Sequence, residues 1–161
     1  MKKLGIALAA FSALSLGITA CGSSSETTDT TVAIAPEAAM YTVDGAWARL
    51  SPTEATMGAV YLNVASTLDD ALVGASVSTD IAAMTQVHET LMSADGTMGM
   101  QEIASVPMTA NTPLALAPGG YHVMLLDLIA PLEIGATVSV TLTFASGGTT
   151  TFDAIVSEEA P

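Results

Sequence analysis

The sequence predicts an all-β fold, a two-sheet antiparallel sandwich, and three observations lead there. Apolar residues recur with a period of two in short runs. Turn-forming residues separate those runs, and no stretch within the domain carries a long helical pattern. Short alternating runs with regular turns are the signature of sheets packed face to face.

The runs can be taken in order. Val43, Ala46 and Ala48 mark a first strand around Trp47. Residues 59–64 and 72–77 give a second and a third, separated by Asp69-Asp70. Residues 84–91 and 97–103 flank Asp95-Gly96, a pair that favours a tight hairpin. Residues 114–117 and 121–128 flank Pro118-Gly119-Gly120. Residues 137–144 alternate strictly, Thr and Ser on one side and apolar residues on the other, and 150–156 follow Gly147-Gly148. No internal repeat is evident.

The segments before the domain read differently. Lys2 and Lys3 precede an apolar run over residues 4–19, and Cys21 follows the small Ala20. This is the pattern of a lipoprotein signal, with residues 1–20 removed and Cys21 lipidated. Cys21 is the only cysteine, so no disulfide can form within the chain. Residues 21–40, rich in Ser, Thr and Ala with few aromatics, read as a flexible tether. The domain is expected over residues 41–157, with 158–161 as a tail.

Charge excludes one class of function. The chain has a formal net charge of −13, and past the signal Arg49 is the single basic side chain against sixteen carboxylates. Nucleic-acid binding needs a basic footprint that is missing here. Anionic headgroups would repel such a body, so any membrane attachment must come through the lipid.

The two histidines carry the chemical signal. Eleven residues separate His88 from Met100, twenty-one separate Met100 from His122, and one separates His122 from Met124. Thioether sulfur is soft and uncharged, favouring Cu(I) and offering little to Mg, Ca or Mn. On a strand, residues two apart share a face, so His122 and Met124 project together. A hairpin at Asp95-Gly96 would fold the His88 strand against the Met100 strand, and the three segments would then converge near one rim. Met57, Met84 and Met108 read as core or surface filling; Met92 and Met98 read equally as fillers or auxiliary ligands.

Several strings in fixed order resemble the periplasmic copper chaperone family PCuAC: Ala46-Trp47-Ala48-Arg49, Ala59-Val60-Tyr61-Leu62, Val87-His88-Glu89, Met98-Gly99-Met100 and Pro118-Gly119-Gly120-Tyr121-His122-Val123-Met124-Leu125. The resemblance spans nearly the whole domain. It implies a cupredoxin-like Greek-key β-sandwich and Cu(I) held by His88, Met100, His122 and Met124. It further implies an extracytoplasmic carrier, not an enzyme, delivering copper toward cytochrome c oxidase, with an oxidase subunit or a Sco-type protein as acceptor. Family members often have methionine beside the first histidine, where this chain has Glu89. Trp47 and Arg49 fit the family pattern as a core aromatic and its flanking cation.

With that ligand set all four donors are neutral, which favours the monovalent ion. A blue-copper electron carrier needs a cysteine thiolate beside two histidines, and the sole cysteine stands at the signal junction. The remaining alternative is a metal-free surface lipoprotein serving as an adhesion or interaction module, which predicts no Cu(I) binding.

Overall fold

The computed structural model describes residues 40–93 and 95–160. The expected signal, Cys21 and all of the tether but Met40 lie outside them. Ten strands follow in chain order: β1 (Tyr41–Arg49), β2 (Met57–Ser66), β3 (Asp70–Val77), β4 (Ala82–Met92), β5 (Met98–Glu102), β6 (Val106–Met108), β7 (Leu114–Leu116), β8 (Tyr121–Leu128), β9 (Thr137–Phe144) and β10 (Thr149–Ser157).

The ladder runs β5-β4-β8-β7-β2-β1-β10-β9-β3-β6, with β8 also pairing β2 directly. Strands β3 and β4 lie far apart in that order yet touch. The ladder therefore folds over on itself into two layers, the sandwich expected. Between them lie Val60, Leu62, Val87, Val123 and Leu125 from one side and Leu72, Val138, Val140, Leu142 and Phe144 from the other. Burial of this apolar surface is the principal stabilising term, at roughly 1.5–3 kcal/mol for each large side chain.

Three of the departures from simple antiparallel alternation involve β1 and β6. Strands β1 and β10 pair in parallel, Trp47 opposite Ile155, where a purely antiparallel arrangement was expected. Strand β6 was not anticipated, because Pro107 at its centre reads as a strand breaker. It pairs only with β3, at the edge of the ladder, where a missing N–H removes no hydrogen bond from a central strand. The third is a bulge in β1 between Asp44 and Trp47. Gly45 there has φ +59°, a conformation glycine adopts without steric cost. The extra residue keeps both Val43 and Ala48 facing the core and turns Trp47 to the other side.

Trp47 is accordingly buried, but outside the central core. It packs against Tyr61, its cross-strand partner, with ring centroids 4.8 Å apart. The expected buried, structural aromatic is present, but on the outer face and not between the layers.

A second anchor joins the layers at one end. Tyr41 stacks on Phe144 and donates its hydroxyl to Asp70 at 2.5 Å, while Ser146 donates to the same carboxylate oxygen at 2.7 Å. The hydrogen bond from Tyr41, with those from Ser146 and the backbone, holds the Asp70 carboxyl down at about 2. Burial, and then the Asp70 hydrogen bond, push the Tyr41 phenol up.

Candidate metal centre

Register brings the histidines together. On β4 and β8, Val87 pairs with Val123 and His88 with His122. Successive side chains alternate across a sheet, and both valines face the core. His88 and His122 therefore project from the opposite, outer face. Their ring centroids lie 5.9 Å apart at 56°.

The methionines follow by the same reasoning. Met124 shares the outer face with His122 and lies opposite Gln86 and Ala59. The hairpin joining β4 to β5 closes with Ser93 N–H donating to Thr97 C=O at 2.8 Å, and sets Met100 opposite Thr90. All four sequence-nominated residues thus stand on one face of the three adjacent strands β5, β4 and β8. The convergence is on an outer sheet face rather than inside the sandwich. His122 and Met124 are nonetheless covered, at 2% and 8% exposure, whereas Met100 is 62% exposed.

Two adjoining clefts open onto this face, of about 240 and 220 Å³, and Arg49, Tyr61, Met100 and His122 line both. Met124 and Met57 line the first, Met98 the second. The Tyr61 ring sits 6.2 Å from His122, so Trp47 and Tyr61 form an aromatic wall beside it. The segment after β1 is pinned by Ser51, which accepts from Leu132 N–H through its hydroxyl at 2.7 Å.

The turn before β8 determines what His122 can offer. Gly120 N–H donates to Ala117 C=O at 3.0 Å, and Gly119 within that turn has φ +84°. Pro followed by a positive-φ Gly is the type II turn pattern. It aims the Gly120 carbonyl at Thr90 N–H, 3.1 Å away, and at His122 Nδ1, also 3.1 Å away. A carbonyl only accepts, so Nδ1 carries the proton and Nε2 presents its lone pair. Tying one ring nitrogen to a carbonyl is how ligating histidines are commonly oriented.

His88 is held through its other nitrogen. Its Nε2 lies 2.9 Å from Gln86 Oε1 and donates to it, which leaves Nδ1 as the free acceptor. Burial, and then the neighbouring His122, push the His88 pKa below the usual histidine value, while Glu102 opposes them. Neutral imidazole, the form able to ligate, is thereby favoured.

Among the described residues, His88 Nδ1 and His122 Nε2 are buried side-chain nitrogens with no hydrogen-bond partner. A buried polar group left unpaired costs on the order of 1–3 kcal/mol. That two such atoms occur on cross-strand neighbours is what a donor pair awaiting an ion would display. No three His, Cys, Asp or Glu side chains converge on an ion position among the described residues. The donor chemistry gathered here is imidazole and thioether.

Glu89 alternates to the side away from His88 and pairs with Gln101 and Tyr121, outside the candidate centre. Sequence reasoning overlooked Gly120, whose carbonyl orients His122, and Gln86; the Pro-Gly-Gly turn signal pointed to the first.

Fold and face together define a class, the PCuAC-type β-sandwich. The solved structures similar to this chain include the apo PCuAC domain from PmoF1 (25% identity, 76% of this chain and 95% of that one, TM-score 0.60). They also include the copper-bound PCuAC domain from PmoF2 (27%, 76% and 94%, TM-score 0.57) and CuI-DR1885 from Deinococcus radiodurans (27%, 82% and 86%, TM-score 0.55). Residues 41–156 match the family model described as "Putative lipoprotein LpqE-like", and the chain belongs to that family. A curated relative, "Putative lipoprotein Lxx21020" from Leifsonia xyli subsp. xyli (strain CTCB07), is 37% identical over 66% of this chain. The match spans 63% of that relative's length.

Proposed function

We propose that the protein is an extracytoplasmic Cu(I) carrier, anchored to a membrane through lipid on Cys21, with His88, Met100, His122 and Met124 as ligands. The observation that carries this reading is the pair of unpartnered ring nitrogens, His88 Nδ1 and His122 Nε2. Similarity to copper-bound PCuAC domains supports the choice of metal. Membership of a lipoprotein family supports the anchor and the extracytoplasmic setting.

The ligand chemistry suits carriage rather than catalysis. Thioethers lack a competing proton and do not form the disulfides that would inactivate thiols in an oxidising compartment. An ion held by neutral ligands at an open face passes readily to a thiolate acceptor, such as the binuclear copper centre of cytochrome c oxidase or a Sco-type protein. The exposed Met100 thioether lines both clefts with His122, from where it would complete the ligand set by turning toward the histidines.

Titration of the protein with Cu(I) against a chromophoric chelator tests the reading. One equivalent should bind tightly to the unsubstituted protein, and His88→Ala/His122→Ala should lose that tight binding. Undiminished binding by the double variant would overturn the ligand assignment. No binding at all would favour a metal-free interaction module.

A further inference from the structure

The outer face carries more sulfur than one ion requires. Met57, Met84, Met92, Met98, Met100 and Met124 all project from it, by the registers of β2, β4, β5 and β8. Three of these gather at the tip of the β4–β5 hairpin. Met92 lies directly opposite Met98, and Met100 follows two residues along on the same face. Directly opposed residues have Cβ atoms only about 4.5–5.5 Å apart, and diagonal ones about 7–8 Å, within reach of long side chains.

These methionines are not core filling. Met92 is 74% exposed and Met98 65%. Met98 lines the same cleft as Met100 and His122, giving a continuous path from the β5 end of the hairpin to His122. Three adjacent exposed thioethers on a strongly acidic protein form a soft-cation site open to solvent.

We propose that Met92, Met98 and Met100 form an outer capture site for Cu(I), from which the ion moves inward by ligand exchange. Met100 belongs to both sets. It keeps its bond to copper while the sulfurs of Met92 and Met98 leave and the nitrogens of His88 and His122, with Met124, take their places. Copper remains Cu(I) throughout, and no proton or electron is transferred. This rests on the carrier reading above and assigns its route of loading.

The test separates the two. Uptake is followed by stopped flow from a Cu(I)–bicinchoninate complex, comparing the unsubstituted protein with Met92→Leu/Met98→Leu. Loading should slow about tenfold while equilibrium affinity stays within about twofold, because the capture site raises local ion concentration without holding the final complex. A second measurement uses Ag(I), a redox-inert soft monovalent probe, with His88→Ala/His122→Ala carrying 13C-methyl methionine. The methyl resonances of Met92, Met98 and Met100 should shift.

Unchanged loading in Met92→Leu/Met98→Leu would overturn the capture site and leave the carrier function standing. So would silent methyl resonances at Met92 and Met98. A large loss of equilibrium affinity would make these two residues ligands of the inner centre and overturn the relay. Failure of the unsubstituted protein to bind Cu(I) would overturn the carrier function itself.

Discussion

A neutral imidazole with one nitrogen tied to the protein has one lone pair left to give. Gly120 ties His122 at Nδ1 and Gln86 ties His88 at Nε2, so the free nitrogens are Nε2 and Nδ1 respectively. Protons compete with copper for the free nitrogen of His88. His88 titrates below the usual histidine value, chiefly through burial, so its ligating form persists into mildly acidic solution. Apparent Cu(I) affinity should therefore hold from about pH 7.5 through about 6.5, the ordinary histidine value, and fall only at lower pH, as protons begin to bind His88 Nδ1. Chelator competition at several pH values checks this. The spacing of His88, Met100, His122 and Met124 was legible in the sequence; which nitrogen each histidine offers was not, because partners from other segments decide it.

Asp70 makes a separate residue-scale case. Its folded value of about 2 lies below the unfolded 3.8, so the stabilisation is present above pH 3.8 and is lost as pH falls through about 2. With partial solvent screening this is on the order of 1 kcal/mol. Asp70→Asn should lower the urea midpoint at neutral pH, and the gap to the unsubstituted protein should close in strong acid. In the sequence Asp69-Asp70 marks only a turn; the partners Tyr41 and Ser146 are 29 and 76 residues away.

At the scale of elements, two turns position the metal face. The β4–β5 hairpin sets Met100 opposite Thr90 and diagonal to His88, and its Asp95-Gly96 signal was readable because glycine readily supplies the positive φ, +82° at Gly96. The Ala117–Gly120 turn aims the carbonyl that orients His122. Gly119→Ala places a side chain at φ +84° with nothing within 4 Å of the new Cβ, so the penalty is conformational rather than steric. It should cost about 1 kcal/mol in stability. Through a misdirected Gly120 carbonyl it should also weaken Cu(I) binding about tenfold. Thermal melts and chelator titration measure the two effects separately.

The elements that escaped the sequence reading did so for local reasons. Pro107 disguised β6, and the Gly45 bulge disguised the outward turn of Trp47. The three-residue step from Val43 to Ala46 was the visible trace of that bulge. The face bearing the site was hidden as well, because alternation shows which residues share a side but not which side meets the other layer.

For the molecule as a whole, the proposed ligand set makes copper a ligand of the folded state alone, since three strands must be adjacent to assemble it. Free Cu(I) at about one hundred times its Kd should stabilise the fold by roughly 2.7 kcal/mol, raising Tm by about 10 °C. Differential scanning calorimetry under reducing, oxygen-free conditions should record that rise, and His88→Ala/His122→Ala should lose most of it. The sandwich itself was legible from period-two runs such as 137–144. Closure through the parallel β1–β10 pair was not, because it joins the first strand to the last.

The central claim is that two imidazoles and two thioethers hold one Cu(I) on the outer face of the β5-β4-β8 strands. X-ray absorption spectroscopy of the Cu(I)-loaded protein tests it most directly. The ligand set predicts two nitrogen and two sulfur scatterers, with imidazole multiple-scattering features that vanish in His88→Ala/His122→Ala. A coordination shell of oxygen donors, or a sulfur-only shell unaffected by loss of both histidines, would contradict it.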